Sequence, residues 1–230
     1  PQIPQNPDLQ WSRLGFLFTH QLWASMSGSQ GRFYRPFLSL WFLINKTLFG
    51  LNPHWFHITS VLAHVTATAL AFFIARRLLK DAGAALLAAA IFGLHPLQAE
   101  SASWISSVND PLAAALCFAS FLIYKKAAAS QRNALGWWFL SGLLFLSALL
   151  TKEVSIVLPG IILIDFWSNS LWSNSPSSHS PNPPSPSILR FPLAIISTYG
   201  LAAVLWLSLR SYALRGSAPA SSSLPWSACF

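Results

Sequence analysis

The chain alternates long apolar runs with short polar islands. The runs cover about residues 55–79, 82–94, 111–124, 135–150, 154–167 and 188–209. A helix needs about 20 mostly apolar residues to cross a bilayer core of about 30 Å, so this pattern predicts transmembrane helices, not the short alternating strands of a barrel. Trp55–Leu79 is the clearest span and ends in Arg76-Arg77-Leu78-Leu79-Lys80. Ala82–Leu94 stops at His95-Pro96, Pro111–Tyr124 at Lys125-Lys126, and Leu135–Leu150 at Thr151-Lys152-Glu153. Val154–Trp167 is interrupted by Pro159-Gly160. Ahead of the spans, Phe37–Phe49 is apolar but short and carries Asn45 and Lys46, which reads as an interfacial or re-entrant helix. The predicted class is an all-α polytopic membrane protein with six transmembrane helices plus an interfacial helix.

Charge sets the orientation. Arg76, Arg77, Lys80, Lys125, Lys126, Arg132 and Arg190 fall in connections separated by pairs of spans, so they share one side. The opposite connections carry Lys152 alone among cations. Basic loops stay cytoplasmic, which puts Glu100, Asp110 and Glu153 on the outer face. Residues 1–54 are then a first extracytoplasmic loop holding the interfacial helix, and 55–167 the transmembrane core. Residues 168–187, rich in Ser, Pro and Asn, read as a disordered cytoplasmic linker. Residues 188–209 form the last span and 210–230 an extracytoplasmic tail.

Composition agrees. The chain is 53% hydrophobic and 9% charged, with mean hydropathy +0.49, where a soluble domain carries about a quarter charged residues. The net charge of +8 is not gathered on an aromatic-laced surface, so no nucleic acid is expected as partner; the lipid bilayer is. Cys117 and Cys229 offer neither a metal spacing nor a disulfide framework. No basic segment and apolar core of a cleavable signal opens the chain. The chain starts at Pro1 without an initiator Met, and a further span is expected upstream.

The chemistry concentrates in the island His95–Asp110 and in the turn at Lys152-Glu153. An acid at a membrane surface or within it is costly and tends to pair or to react. Glu100 and Asp110 are therefore the catalytic candidates, although Asp110-Pro111 also suits a helix start with Asp110 as cap. His95 ends a span; it is either a hydrogen-bonding helix terminus or a ligand for phosphate. Lys152 and Glu153 are either a snorkelling interfacial pair or part of a substrate site, with Lys152 placed to hold an anion. Arg35, between Tyr34 and Pro36, suits bidentate phosphate contact or a headgroup anchor. His57 and His64 share a helix face below His54, a spacing that suits hydrogen bonds between helices better than zinc.

Taken in order, Tyr34-Arg35-Pro36, Gly50-Leu51-Asn52-Pro53, His57 and His64, Leu94-His95-Pro96 with Glu100, Trp104-Ile105-Ser106, Asp110-Pro111-Leu112-Ala113, Thr151-Lys152-Glu153 and Leu158-Pro159 form a pattern. It resembles the membrane region of the transmembrane and tetratricopeptide-repeat O-mannosyltransferases and their bacterial relatives. These are similar to the polyprenyl-phosphate-dependent glycosyltransferases with the C-type fold. The resemblance covers most of Tyr34–Trp167 and implies a seven-helix core, of which this chain holds six.

What it implies about activity is concrete. A sugar, often mannose, moves from a polyprenyl phosphate to a protein hydroxyl or other acceptor, including a glycan, on the extracytoplasmic face. Glu100 and Asp110 would serve catalysis; Arg35, His95, Lys152 and Glu153 would bind substrate. Whether a divalent metal takes part stays open. The acidic pair of the family's first outer loop would precede Asn6-Pro7-Asp8, so the resemblance implies an incomplete enzyme. Val108 stands at the family's basic position in the second outer loop. A multi-pass transporter or lipid-carrier flippase, and a non-catalytic membrane scaffold, are the competing readings. Most of the polar residues lie at span ends and not at midplane, which favours surface chemistry over transport. The expected compartment is a bacterial inner membrane or, alternatively, the endoplasmic reticulum membrane.

Overall fold

The computed structural model describes residues 6, 8–22, 33–130, 133–173 and 187–215. All regular structure among them is helical. A 3-10 turn at Trp11–Arg13 leads into α1 (Leu14–Thr19). Then come α2 (Pro36–Phe49), α3 (Pro53–Leu79), α4 (Ala82–Leu94), α5 (Leu97–Ser103), α6 (Asn109–Ala129), α7 (Ala134–Thr151), α8 (Leu158–Ser173) and α9 (Ser187–Arg215). Most of the 168–187 linker, Arg132 and Cys229 lie outside the described residues, as does the tail beyond Arg215.

Among the described residues, four segments are long and apolar enough to cross a membrane: Pro53–Leu79, Ile105–Ala129, Ala134–Thr151 and Leu193–Arg215. They expose large apolar side chains such as Leu62, Phe139, Leu201 and Val204. In water that surface would drive aggregation; against lipid tails it costs nothing. The all-α membrane class follows. The α4 helix has 13 residues, and α8, which continues to Ser173 past the expected boundary at 167, has 16. Both fall short of the roughly 20 residues of a full span.

The local sequence accounts for the helix ends. Asn52 caps α3 by accepting from the His54 N–H at 3.0 Å, with Pro53 in the first turn. Lys80 takes the left-handed conformation (φ 57°) that stops α3. Asp81 then caps α4 through the Ala84 N–H at 2.7 Å. Pro159 lies in the first turn of α8, where its missing N–H costs no hydrogen bond, so Pro159-Gly160 opens a helix instead of breaking one.

Two apolar clusters hold the helices together. The larger joins α6, α7, α8 and α9 through Phe121, Tyr124, Phe145, Ile162, Tyr199 and Trp206, with Tyr34 buried among them. Ser141 Oγ and Tyr199 Oη are 2.6 Å apart, Ser120 Oγ donates to the Ser141 carbonyl at 2.8 Å, and Ser141 Oγ lies 2.7 Å from the Ser120 carbonyl. Helices in lipid gain little from apolar burial against one another, so such hydroxyl links and close approaches fix the register. Gly142 supplies one such approach: a Cβ there would lie 2.7 Å from Thr198 Cγ2. The smaller cluster packs α2 on α3 through Leu38, Phe42, Leu43 and Phe56, with Val108 beside them.

The α4 helix ends partway along α3. His64 Nε2 is 3.0 Å from the Gly93 carbonyl, and His64 lies about 11 residues, roughly 16 Å, into α3. This is the helix-joining role expected of His64. The polar segment after α4 therefore climbs along α3 to reach the start of α6, with α5 on the way.

Candidate functional site

Three helix ends meet at one charged centre. The first is the start of α2. Arg35 precedes Pro36, and the neighbouring Tyr34 is 1% exposed with its hydroxyl donating to the Phe18 carbonyl at 2.8 Å. Burial pushes the Tyr34 phenol up to about 12, so it stays a donor. That anchor aims Arg35, whose guanidinium also lies 4.7 Å over the Phe33 ring.

The second end is the turn after α7. The Lys152 N–H closes the helix on the Ala148 carbonyl at 2.8 Å, and Ser155 Oγ donates to the same carbonyl at 3.1 Å. Residues Glu153–Val157 form a 3-10 turn. With Thr151 and Ser155 buried, Lys152 and Glu153 are left to reach different neighbours.

The third end is the first turn of α6. Asp110 does not cap it: the helix already begins at Asn109, with no side-chain cap bond. Instead Asp110 Oδ1 accepts from Lys152 Nζ, an ion pair between α6 and the α7 turn. Asn109, with its amide oxygen turned toward Arg35, accepts from Nη1 at 3.2 Å and donates to the Ser106 and Ser107 carbonyls at 3.1 and 3.2 Å.

Arg35 closes the arrangement. Its Nη2 donates to Glu153 Oε1 at 3.0 Å and its Nε to Oε2 at 3.3 Å, a bidentate pair. Charges therefore alternate across the centre, from Glu153 through Arg35 and Asn109 to Asp110 and Lys152. Burial pushes the Glu153 carboxyl up, but the hydrogen bonds from Arg35, with a backbone bond and the positive charges of Arg35 and Arg210, outweigh it. The carboxyl ends below its ordinary value and stays ionised.

An apolar cavity of about 380 Å³ runs from this centre along α6. Asp110 and Lys152 line one part of it, with Ala113, Cys117, Phe118 and Phe121 of α6, Leu158 and Ile161 of α8, and Ile74 of α3. A charged end on an apolar trough suits an amphiphile with a polar head and a hydrocarbon tail.

Four of the six expected residues, Arg35, Asp110, Lys152 and Glu153, thus come together. Glu100 and His95 do not join them. Glu100 lies exposed on α5, and its carboxylate has no hydrogen-bond or ion-pair partner among the described residues. His95 is exposed, and its Nδ1 accepts from the Leu97 N–H at 3.2 Å. Among the described residues no three His, Cys, Asp or Glu side chains gather as a metal site.

Two features escaped the sequence reading. Asn109 is hidden beside the more conspicuous Asp110. Asp165 lies on α8 away from the charged centre, where it takes both oxygens to Lys125 Nζ at 2.9 Å and the Tyr124 hydroxyl at 3.1 Å. An acid inside an apolar run signals this by its cost alone.

Apolar helices around one charged centre, placed where three helix ends meet, define a polytopic membrane protein with a site at its rim. Residues 34–179 match the family described as dolichyl-phosphate-mannose-protein mannosyltransferase, and the chain belongs to that family. It is 29% identical over 182 residues to the human protein O-mannosyl-transferase TMTC1, covering 74% of this chain and 20% of that protein. It is 33% identical over 159 residues to Drosophila melanogaster protein O-mannosyl-transferase Tmtc1 (67% and 18%) and 32% identical over 181 residues to human protein O-mannosyl-transferase TMTC4 (69% and 24%). The chain therefore spans about a fifth of the length of the curated relatives it matches. No solved structure matches it. The four clustered residues all fall inside the family match.

Proposed function

We propose that the chain is the membrane region of a glycosyltransferase that moves mannose from a polyprenyl phosphate to a protein hydroxyl on the extracytoplasmic face. The observation that carries this reading is the Asp110–Lys152 pair at the end of an apolar cavity. The cavity suits the isoprenoid tail, and the cations beside it suit the phosphate. The relatives' names supply the sugar and the class of acceptor. Those relatives come from animals, which supports the endoplasmic reticulum membrane over a bacterial inner membrane.

The chemistry follows from the groups available. The acceptor oxygen bonds to the sugar carbon as that carbon's bond to the phosphate oxygen breaks, and the phosphate leaves with the electron pair. Asp110 takes the hydroxyl proton as general base. Lys152, which donates to that carboxylate, stabilises the departing charge. Glu153 occupies the Nε–Nη2 edge of Arg35 and so fixes that cation beside the phosphate position. Glu100, exposed on α5, is left for the acceptor side. His95 spends its Nδ1 on the local turn and plays no part in this scheme.

The test is transfer of labelled mannose from dolichyl phosphate mannose to a Ser/Thr peptide by the full-length protein in reconstituted vesicles. Transfer is expected, falling by a factor of about 10²–10⁴ in Asp110→Asn and by less in Glu100→Gln. Equal transfer by Asp110→Asn would remove this carboxylate as the base, and no transfer by the unaltered full-length protein would overturn the reading.

A further inference from the structure

Two cations expected to hold the donor phosphate are already engaged: Arg35 by Glu153 and Lys152 by Asp110. A leaving phosphate needs a cation that is not fully spent on carboxylates. We propose that Arg210, on α9, is the third cation of the extracytoplasmic centre and contacts the phosphate of the lipid-linked donor. This rests on the donor reading above and adds a residue beyond the 34–179 family match.

The position follows from helix register. Ser141 and Phe145 of α7 both meet Tyr199 of α9, at 2.6 Å between hydroxyls and 5.2 Å between ring centroids. Arg210 is about 11 residues beyond Tyr199, roughly 16 Å along the helix. Thr151, the last residue of α7, is about 10 residues beyond Ser141, roughly 15 Å. The two helices therefore bring Arg210 level with the Lys152-Glu153 turn. The electrostatic influence of Arg210 on Glu153 agrees with that placement.

The guanidinium is held but not neutralised. It lies 5.2 Å over the Trp206 ring and is half-buried. Among the described residues it has neither a carboxylate partner nor a hydrogen-bond acceptor. Stacking on an aromatic face fixes the plane of a guanidinium while leaving its N–H edge free for a bidentate anion. Trp206 itself is 6% exposed, and its buried indole N–H lacks an acceptor among the described residues. The unspent guanidinium donors, held in place by the buried indole, are what an incoming phosphate oxygen would satisfy.

The experiment measures binding of dolichyl phosphate, dolichol and phosphatidic acid to the chain in phosphatidylcholine nanodiscs, for the unaltered protein, Arg210→Gln and Arg210→Lys. The expected result is a preference of at least about tenfold for dolichyl phosphate over both other lipids. Arg210→Gln should lose most of the preference over dolichol while binding dolichol unchanged. Arg210→Lys should keep part of it, since charge survives but the fork does not. A purely structural role would weaken both ligands alike. A full preference retained by Arg210→Gln would overturn the assignment of Arg210 and leave the donor reading standing. No preference in the unaltered protein would overturn both, and equal binding of phosphatidic acid would make the cation a general headgroup contact, against the proposal.

Discussion

Glu153 is the residue whose environment makes the sharpest statement. Its carboxyl releases its proton more readily in the folded chain than in the unfolded one. The stability it contributes is therefore complete above its ordinary value of 4.5 and is lost as the pH falls through the lower folded value. Its side chain is 31% exposed, so screening keeps the pair modest. Glu153→Gln should cost about 1.5 kcal/mol at neutral pH, the low end for charge-assisted hydrogen bonds. It should also flatten the acid limb of the unfolding profile, read by thermal melts in detergent between about pH 3 and 7. An acid limb unchanged by the substitution would place the titrating group elsewhere. Residue identity was readable here, but pairing was not. Arg35 and Glu153 are 118 residues apart, and Asp110 and Lys152 are 42 apart. No local pattern encodes whether Arg35 or Lys152 meets a given acid; the register of α6 on α7 and the entry of α2 decide it.

At the scale of the elements, the close approach of α7 and α9 is the most exposed to test. Gly142→Ala would gain up to about 1 kcal/mol of helix propensity. It would also push a Cβ to 2.7 Å from Thr198 Cγ2, whose branched side chain has little freedom in a helix. Overpacking of that kind costs about 1–3 kcal/mol, so the net effect should be destabilising. Adding Thr198→Ser removes the clashing methyl and should recover most of the loss, as read by thermal unfolding. A Gly142→Ala chain more stable than the original would contradict the α7–α9 register and, with it, the level assigned to Arg210. The same scale shows what sequence periodicity misses. The apolar runs predicted where helices lie, because lipid-soluble segments must be helical. They did not reveal that α4 stops level with His64, nor that Pro159 starts α8, because length in sequence says nothing about depth against a neighbour.

Across the whole molecule, the all-α membrane class and the family were both readable from residue order alone. The spans carry the first, and the scattered Arg-Pro, His-Pro and Lys-Glu landmarks carry the second. The charged centre was half readable. The outer turns were singled out by their acids, yet Glu100, the most conspicuous of them, stands apart, while Asn109 and Arg210 enter only through packing. In the proposed function the centre sits at the extracytoplasmic end of α6 and the basic turn after α6 at the other. Labelling with a membrane-impermeant maleimide tests this directly, using Ser106→Cys and Asn133→Cys placed singly in a chain whose native cysteines are replaced. Both side chains are exposed and flank the ends of α6. Ser106→Cys should react from the extracytoplasmic side of sealed vesicles and Asn133→Cys only after permeabilisation; reaction of both from the same side would contradict this sidedness.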